Sequence, residues 1–372
     1  MKKRILFLSD IDSAHTRKWA VSLADRGYDI GIFSLRKSES HWFDAYPNIT
    51  AYHSDGFGKS KFSSGSRSKL AYLKLIPSVK KAIAEFAPSI VHAHYATSYG
   101  LLGARAAFHP LVISVWGSDI FDFPKESWLH KRMVMYNLKR ADRIFSTSHV
   151  MKTEILKYVS REIAVTPFGV DVQSFAHFVP DNEQKIHGAR VIGTIKSLED
   201  KYGIDVLIEA FSMVKMKYSQ PLKLVIAGSG TQAEKYKELA KNLNVSDDVL
   251  FAGQLKSEDV PAWHNRFDIF ANLSVLDSES FGVAVVEAMA CERPVVVTRV
   301  GGLTEVVEEN VTGLVVAPRD AKSAAEAFLK LLENLDISNQ MGKAGRARVL
   351  AKYDWQKNLD DIEKLYASIS AE

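Results

Sequence analysis

Short apolar, β-branched runs alternate along the chain with longer stretches whose apolar residues recur at helical spacing. In the first half the runs are RILFLS (4–9), YDIGIFSL (28–35), SIVHAH (89–94), LVISVW (111–116), RIFSTS (143–148) and IAVTPF (163–168). Between the first two lies RKWAVSLADRG, a helix-like stretch that closes on Gly27, the residue a helix C-terminus favours. Strand–helix alternation of this kind predicts a parallel sheet covered by helices on both faces. The segment DVQSFAHFVPDNEQKIHGAR (171–190) interrupts the rhythm with polar residues and a proline, and reads as an interdomain linker. The rhythm then resumes in ARVIGTI (189–195), LKLVIAG (222–228), DVLFAG (248–253), DIFANLS (268–274), RPVVVT (293–298) and GLVVA (313–317). The pattern predicts two doubly wound α/β domains, 1–177 and 178–354, with a terminal helix in 355–372 packing back on the first. Sheets of this type bind ligands beyond the carboxyl ends of their strands, so the expected place for chemistry is a cleft between the two.

The chain's 372 residues are more than one core usually serves, which agrees with two domains. Its 47% hydrophobic and 25% charged composition is that of a globular protein and excludes disorder and coiled coil. No apolar run approaches the ~20 residues of a membrane-spanning helix. The opening MKKRILFLSDIDS reads as a first strand and not as a secretory leader. The single cysteine, Cys291, excludes an internal disulfide and a multi-cysteine metal site. It ends the apolar turn AMAC and reads as a small buried residue. These features predict a cytoplasmic enzyme.

Charge adds an asymmetry. Residues 1–180 carry 25 Lys and Arg against 15 Asp and Glu, whereas 181–372 carry 23 against 29. The excess is densest where Lys59, Lys61, Arg67, Lys69, Lys74, Lys80 and Lys81 meet no acidic residue. That run either forms a solvated helix face or contacts an anionic surface, such as the inner face of the plasma membrane. No nucleic-acid motif accompanies it, so nucleic acid is not expected as a partner.

The most informative stretch is DSESFGVAVVEAMACERPVVVT (277–298). It predicts a polar loop, a helix starting near Gly282, and a strand after Pro294. Backbone N–H groups at Phe281, Gly282 and Val283 would open that helix, and such donors suit a phosphate. Glu279 lies in the loop and Glu287 on the helix.

The glutamate pair, the aromatic-Gly step and EAMA…PVV…GG, in this order, resemble the signature of family 4 retaining glycosyltransferases, which have the GT-B fold of two facing Rossmann-like domains. The likeness continues in GTIKSLEDKYGIDVLIEAF (193–211), LVIAGSG (224–230), VLFAGQL (249–255) and RVGGLTEVVEENVTGLVV (299–316). In the first half it includes IVHAHYATSYG, SVWGSDI, ADRIFSTS and VTPFGVDVQSF. The resemblance implies a nucleotide-sugar donor held in the second domain. It implies that Glu279 binds donor-sugar hydroxyls and Glu287 the ribose, and that the Phe281–Val283 amides face the diphosphate or sugar. Lys196 and Lys201 would neutralise the diphosphate, and Leu255 would edge the base pocket. No cofactor and no divalent metal is implied. Asp10-Ile11-Asp12 is similar to the Asp-x-Asp metal motif of other glycosyltransferases, but that motif belongs to a different fold class.

Two departures stand out. Trp116-Gly117-Ser118-Asp119 stands where the family often has His-Gly-Ser-Asp, so a polar contact to the donor sugar is missing. His94 is the candidate to supply it. Lys196-Ser197 and Lys201-Tyr202-Gly203 stand where arginine and Lys-Gly are commoner, which keeps charge but loses the bidentate fork. Ser13, His15 and Thr16, after the first strand, are candidates for acceptor or diphosphate contacts, with Trp116 and Asp119 on the same edge. The reading implies a retaining transfer, with Glu279, Lys201 and His94 as catalytic candidates. The donor would be UDP-linked, and the acceptor a glycan, lipid-linked or small-molecule hydroxyl in cell-envelope synthesis. A nucleotide-sugar 2-epimerase and a two-lobed solute-binding protein share the architecture and are the alternatives.

Overall fold

The computed structural model describes residues 3–54, 70–178, 186 and 188–371. Its chain divides into two compact units, 1–166 with 359–372, and 167–358.

The first unit is built on a seven-stranded parallel sheet. Its strands are β1 (Arg4–Leu8), β2 (Asp29–Ser34), β3 (Ile49–His53), β4 (Ile90–His94), β5 (Leu111–Val115), β6 (Arg143–Ser146) and β7 (Ile163–Val165), in the order β3-β2-β1-β4-β5-β6-β7. The reversal on either side of β1 is that of a doubly wound fold. All residues of β4 and β5 are buried, as strands covered on both faces must be. The sequence pattern does not mark β3. It pairs only with β2, and its ITAYH run is largely half-exposed, so it lacks a continuous apolar signal. The helix Ala14–Asp25 ends before Gly27, which takes a left-handed φ of 83°.

The second unit holds six parallel strands: β8 (Arg190–Ile195), β9 (Leu222–Ala227), β10 (Val249–Gly253), β11 (Ile269–Asn272), β12 (Val295–Thr298) and β13 (Gly313–Val316), in the order β10-β9-β8-β11-β12-β13. Its core gathers Ile192, Leu224 and Val296 from the sheet with Leu207, Phe211 and Phe328 from the covering helices.

Two segments differ from the sequence pattern. The expected linker is fastened to the second unit from its start. Val170 N donates to Tyr353 O at 2.8 Å, and Trp355 N donates to Val170 O at 3.0 Å. Asn265 then ties down Ala176 O at 3.0 Å and Phe178 N at 2.9 Å. The division between units therefore falls at 166/167, ahead of the expected 177/178. The terminal helix, Trp355–Ala371, contributes residues from Leu359 onward to the first unit, where Leu359, Ile362 and Tyr366 are buried.

Of the basic run, Lys59, Lys61, Arg67 and Lys69 lie outside the described residues. Lys74, Lys80 and Lys81 are exposed. The apolar side of their helix, Ile76–Phe86, is committed to the core through Val79, Ala82 and Phe86.

Candidate functional site

In the second unit the loop after β11 and the loop after β8 meet through charge. Glu279 Oε2 lies 2.6 Å from Lys196 Nζ, with 8% of the Glu279 side chain and 17% of the Lys196 side chain exposed. Ser274 Oγ is 3.2 Å from the same carboxylate oxygen and 2.6 Å from Asn272 Oδ1, so its single proton serves one acceptor at a time. Lys196 is positioned by its backbone: Lys196 N donates to Ala227 O at 2.9 Å, and Leu198 N to Ser229 O at 3.0 Å. The GSG turn after β9 thus braces the lysine loop.

The glutamate loop is braced from the other side by Gly301-Gly302. Gly302 N donates to Glu279 O at 3.0 Å, and Gly301 N to Asp277 Oδ1 at 3.0 Å. A Cβ on Gly302 would lie 2.0 Å from Ser280 O, closer than atoms can approach. The glycine pair is what lets this turn lie flat against the loop that carries Glu279.

The helix Val283–Ala290 starts where the sequence places it. Gly282 caps it with a left-handed φ of 86°, a conformation glycine adopts without strain. Val285 N and Val286 N donate to Gly282 O at 2.9 and 3.2 Å, so the N–H groups ahead of them are the ones with no in-helix carbonyl to meet, at the positive end of the helix dipole. Phe281 contributes only backbone here. Its ring is buried against Phe168 at 5.9 Å and Tyr353 at 5.4 Å.

Lys201 and Lys196 are brought together by a residue that the sequence reading names as a departure but gives no role. Tyr202 presents its ring to both, with Lys196 Nζ 4.5 Å and Lys201 Nζ 4.9 Å from the centroid. Two cations on one ring are attracted to its quadrupole and held close despite their mutual repulsion. His264, which the sequence reading does not single out, is fully buried and ringed by Phe175, Phe267 and Phe270. Its Nε2 faces Glu287 Oε2 at 3.5 Å. Leu255 is half-buried just past β10.

The candidates of the first unit separate into two groups. Ser13 and His15 are half-buried at the start of their helix, and Trp116 is half-buried with its ring 5.6 Å from His15 and 4.8 Å from His94. Thr16 and Asp119 turn inward, contrary to the expectation of ligand contact. Thr16 is fully buried and its hydroxyl pairs with Ser9 Oγ at 2.6 Å. Asp119 is fully buried and accepts from Ala96 N at 2.7 Å, Gly117 N at 2.8 Å and Trp116 N at 3.1 Å. Burial raises its carboxyl to about 6, against the lowering effect of those donors. Its place is to shape the Trp116-Gly117-Ser118 turn.

His94 is buried as well, with Nδ1 3.1 Å from Ser9 Oγ and no hydrogen-bond partner for Nε2. Burial, with a smaller repulsion from His15, brings its imidazole down to about 3, so the ring is neutral at physiological pH. His92 bonds Tyr366 OH at 2.6 Å and Ser114 Oγ at 2.7 Å, and burial holds it well below the usual histidine range.

The Asp-x-Asp carboxylates are engaged locally, Asp10 with Arg36 at 2.6 Å and Asp12 with Ser38 at 2.6 Å. Among the described residues, no group of three or more His, Cys, Asp or Glu is arranged to hold a metal ion. Cys291 is fully buried, as AMAC suggests, and burial raises its thiol to about 12.

Two parallel sheets of this topology, one in each unit, are those of the GT-B architecture, and solved structures agree. The chain aligns over 100% of both lengths with sucrose-phosphate synthase from Thermosynechococcus elongatus at a TM-score of 0.87 and 20% identity. It covers 98% of its own length and 100% of HepE from Anabaena, solved with UDP and glucose, at a TM-score of 0.81 and 19% identity. Residues 178–348 match the model of glycosyl transferases group 1, and residues 4–148 that of glycosyl transferase 4-like proteins. The chain is a GT-B glycosyltransferase related to the glycosyl transferase 4-like family, acting with a nucleotide-sugar donor on an acceptor. Among curated relatives, N-acetyl-alpha-D-glucosaminyl L-malate synthase from Bacillus anthracis is 26% identical over 75% of this chain and 74% of that protein. A GDP-mannose-dependent phosphatidylinositol monomannoside mannosyltransferase from Mycolicibacterium smegmatis is 29% identical over 69% of this chain and 70% of that protein.

Among the described residues, no helix is long and apolar enough to cross a membrane.

Proposed function

We propose that the chain transfers a sugar from a UDP-linked donor, with retention of anomeric configuration, to a hydroxyl of a glycan or lipid-linked acceptor in cell-envelope synthesis. The observation that carries the donor assignment is the Lys196–Glu279 pair beside the two-lysine face of Tyr202. It supports a reading in which the carboxylate serves sugar hydroxyls and the neighbouring cations a diphosphate. The uridine assignment is supported by the UDP complex of HepE, and the envelope acceptor by the lipid named for the mycobacterial relative.

In the reaction the acceptor oxygen forms a bond to the anomeric carbon on the face that the diphosphate leaves. The carbon–oxygen bond to the diphosphate breaks, its electron pair stays on the phosphate, and that phosphate oxygen takes the acceptor proton. No protein nucleophile is required. The protein's part is to fix geometry and to meet growing negative charge with preset donors. Lys196, Lys201 and the Gly282–Val283 amides do so at the diphosphate. Glu279 orients the sugar, Glu287 holds the ribose, and Leu255 edges the base pocket. In the first unit, Ser13 and His15 are assigned to the acceptor. His94 supports Trp116 from beneath through the ring contact at 4.8 Å.

The test is a screen of UDP- and GDP-sugars for slow donor hydrolysis, followed by calorimetry with each nucleotide. UDP binding lost in Lys201→Ala, with the fold intact, is the expected result. Binding of GDP but not UDP would overturn the uridine assignment. An inverted anomeric proton in the product spectrum would overturn same-face attack.

A further inference from the structure

Among the exposed apolar residues of the first unit, three fall on one short helix, Trp128–Arg140. Trp128 is 67% exposed, Leu129 58% and Tyr136 36%. The same helix carries Lys131, Arg132, Lys139 and Arg140, all exposed, and no acidic residue. At 100° per residue these seven positions share one half of the helix surface, while Val134, Asn137 and Leu138 face the core. Acidic side chains close by in sequence or space have other partners: Glu126 faces His130 at 3.1 Å, Asp142 faces His109 at 2.7 Å, and Glu154 pairs with Lys157. Arg132 lies 5.7 Å from the Trp128 ring, and Arg105, from the helix Ser98–Ala106, 4.8 Å from the Tyr136 ring, so the cations interleave with the aromatics.

We infer that this helix face is the surface by which the protein docks on an anionic lipid bilayer. Charge complementarity selects the partner, because four unmatched cations suit a negative lipid surface. The apolar side chains select a bilayer over a merely acidic solute. Tryptophan and tyrosine favour the headgroup boundary, and a helix with this mixture lies in the interface plane. The contrast with the helix Ile76–Phe86 is instructive. Its Lys74–Lys81 region is cationic too, but its apolar side is packed in the core and has nothing to insert. The docking face assigned here is independent of the donor-site reading.

The test is co-sedimentation of the full chain with phosphatidylcholine vesicles with and without phosphatidylglycerol. Wild type is expected to bind only the anionic vesicles and to be released at high salt, as screening shortens electrostatic reach. Each cation near the surface contributes about fivefold, so reversal of all four to glutamate should lower partitioning by at least about a hundredfold. Trp128→Ser with Leu129→Ser should also weaken it, whereas reversal of Lys74, Lys80 and Lys81 should leave most binding. Trp128 emission should shift to the blue on anionic vesicles, and Trp128→Phe should abolish that shift. If the fourfold variant does not fold, Lys131→Glu and Arg140→Glu alone should each show about the fivefold loss. Full vesicle binding by the folded charge-reversed variants would overturn the inference. So would equal binding to neutral vesicles, no binding to either, or tighter binding to an RNA or DNA oligonucleotide. UDP binding measured in parallel reports on the donor site, so failure of one reading does not pass for failure of the other.

Discussion

The polar residues around Glu279 in the second unit and those around His94 in the first are of the same chemical kinds, yet their surroundings treat them in opposite ways. Near Glu279 a carboxylate with 8% of its side chain exposed meets a lysine with 17% exposed, at 2.6 Å. Near His94 the histidines and Asp119 are sealed in, and burial shifts all three away from their charged forms. The first arrangement keeps charge available for a ligand. The second uses polar atoms to pin backbone and leaves little to offer a substrate. Residue type alone therefore does not separate a side chain paired with an ionic partner from one that pins backbone; its partners do.

The largest effect that this contrast predicts is at Glu279. Glu279→Ala removes the group assigned to orient the sugar and frees Lys196 from its partner. Turnover should fall on the order of a hundred- to a thousandfold, as for loss of one transition-state hydrogen-bonding group. The midpoint of urea unfolding should move little, because the loop is held by Gly302 N donating to Glu279 O and Gly301 N donating to Asp277 Oδ1, both of which the substitution leaves in place. Steady-state kinetics beside an unfolding curve check both halves. A large loss of stability with unchanged turnover would reverse the comparison.

Asp119 should behave in the opposite sense. Asp119→Ala leaves the N–H groups of Ala96, Trp116 and Gly117 without their acceptor. The expected loss is about 3 kcal/mol of unfolding free energy, since each stranded buried donor costs roughly 1–3 kcal/mol. Asp119→Asn, which keeps an acceptor oxygen, should lose much less. UDP affinity of the folded protein should be unchanged in both.

Much of this was legible in the order of residues, and what was not has a physical explanation. Strands buried on both faces, such as β4, β5 and β12, announce themselves by unbroken apolar runs, while edge strand β3 has no such run. The start of the Glu287 helix is marked locally by Gly282. His264 escaped because its partner, Glu287, comes from another segment and meets it only in the fold; Tyr202 lies close to Lys196 and Lys201 in sequence, but the loop geometry that sets both amines over its ring has no sequence signal. Thr16 and Asp119 looked like ligand contacts because they stand beside other polar candidates in sequence; the inward turn of each side chain has no sequence signal.

The buried histidines predict a pH dependence. His94 titrates near 3 in the fold and near 6.5 when unfolded, and His92 is also lowered. Between those values the unfolded chain binds more protons, so stability is full above pH 6.5 and is lost as pH falls. From pH 6.5 to pH 5 His94 alone should account for about 2 kcal/mol. Asp119 opposes this: its carboxyl, raised to about 6, binds a proton in the fold first, so its contribution improves as pH falls through 6. Two histidines outweigh one aspartate, and the net expectation is destabilisation. In urea titrations at a series of pH values, His94→Gln should flatten the slope. An unchanged slope would mean that His94 is not the neutral buried ring described above.

The smallest effect is expected at Glu287, and it sharpens the comparison most, because this residue has features of both regions. Its side chain is 20% exposed, more than that of Glu279, yet it faces the fully buried His264. A ribose contact is much the same in ground and transition states, so Glu287→Gln should raise KM for the donor about tenfold and leave kcat nearly unchanged. His264→Phe keeps the aromatic packing but removes the ring nitrogen 3.5 Å from Glu287. If that nitrogen orients the carboxylate, His264→Phe should raise KM in the same direction by a smaller factor, and it should add little in a Glu287→Gln background. His264→Gln can place an N–H near the Nε2 position and should recover part of the loss. Full additivity of the two changes would show that His264 serves packing alone, and that Glu287 belongs wholly with the open, ligand-facing group.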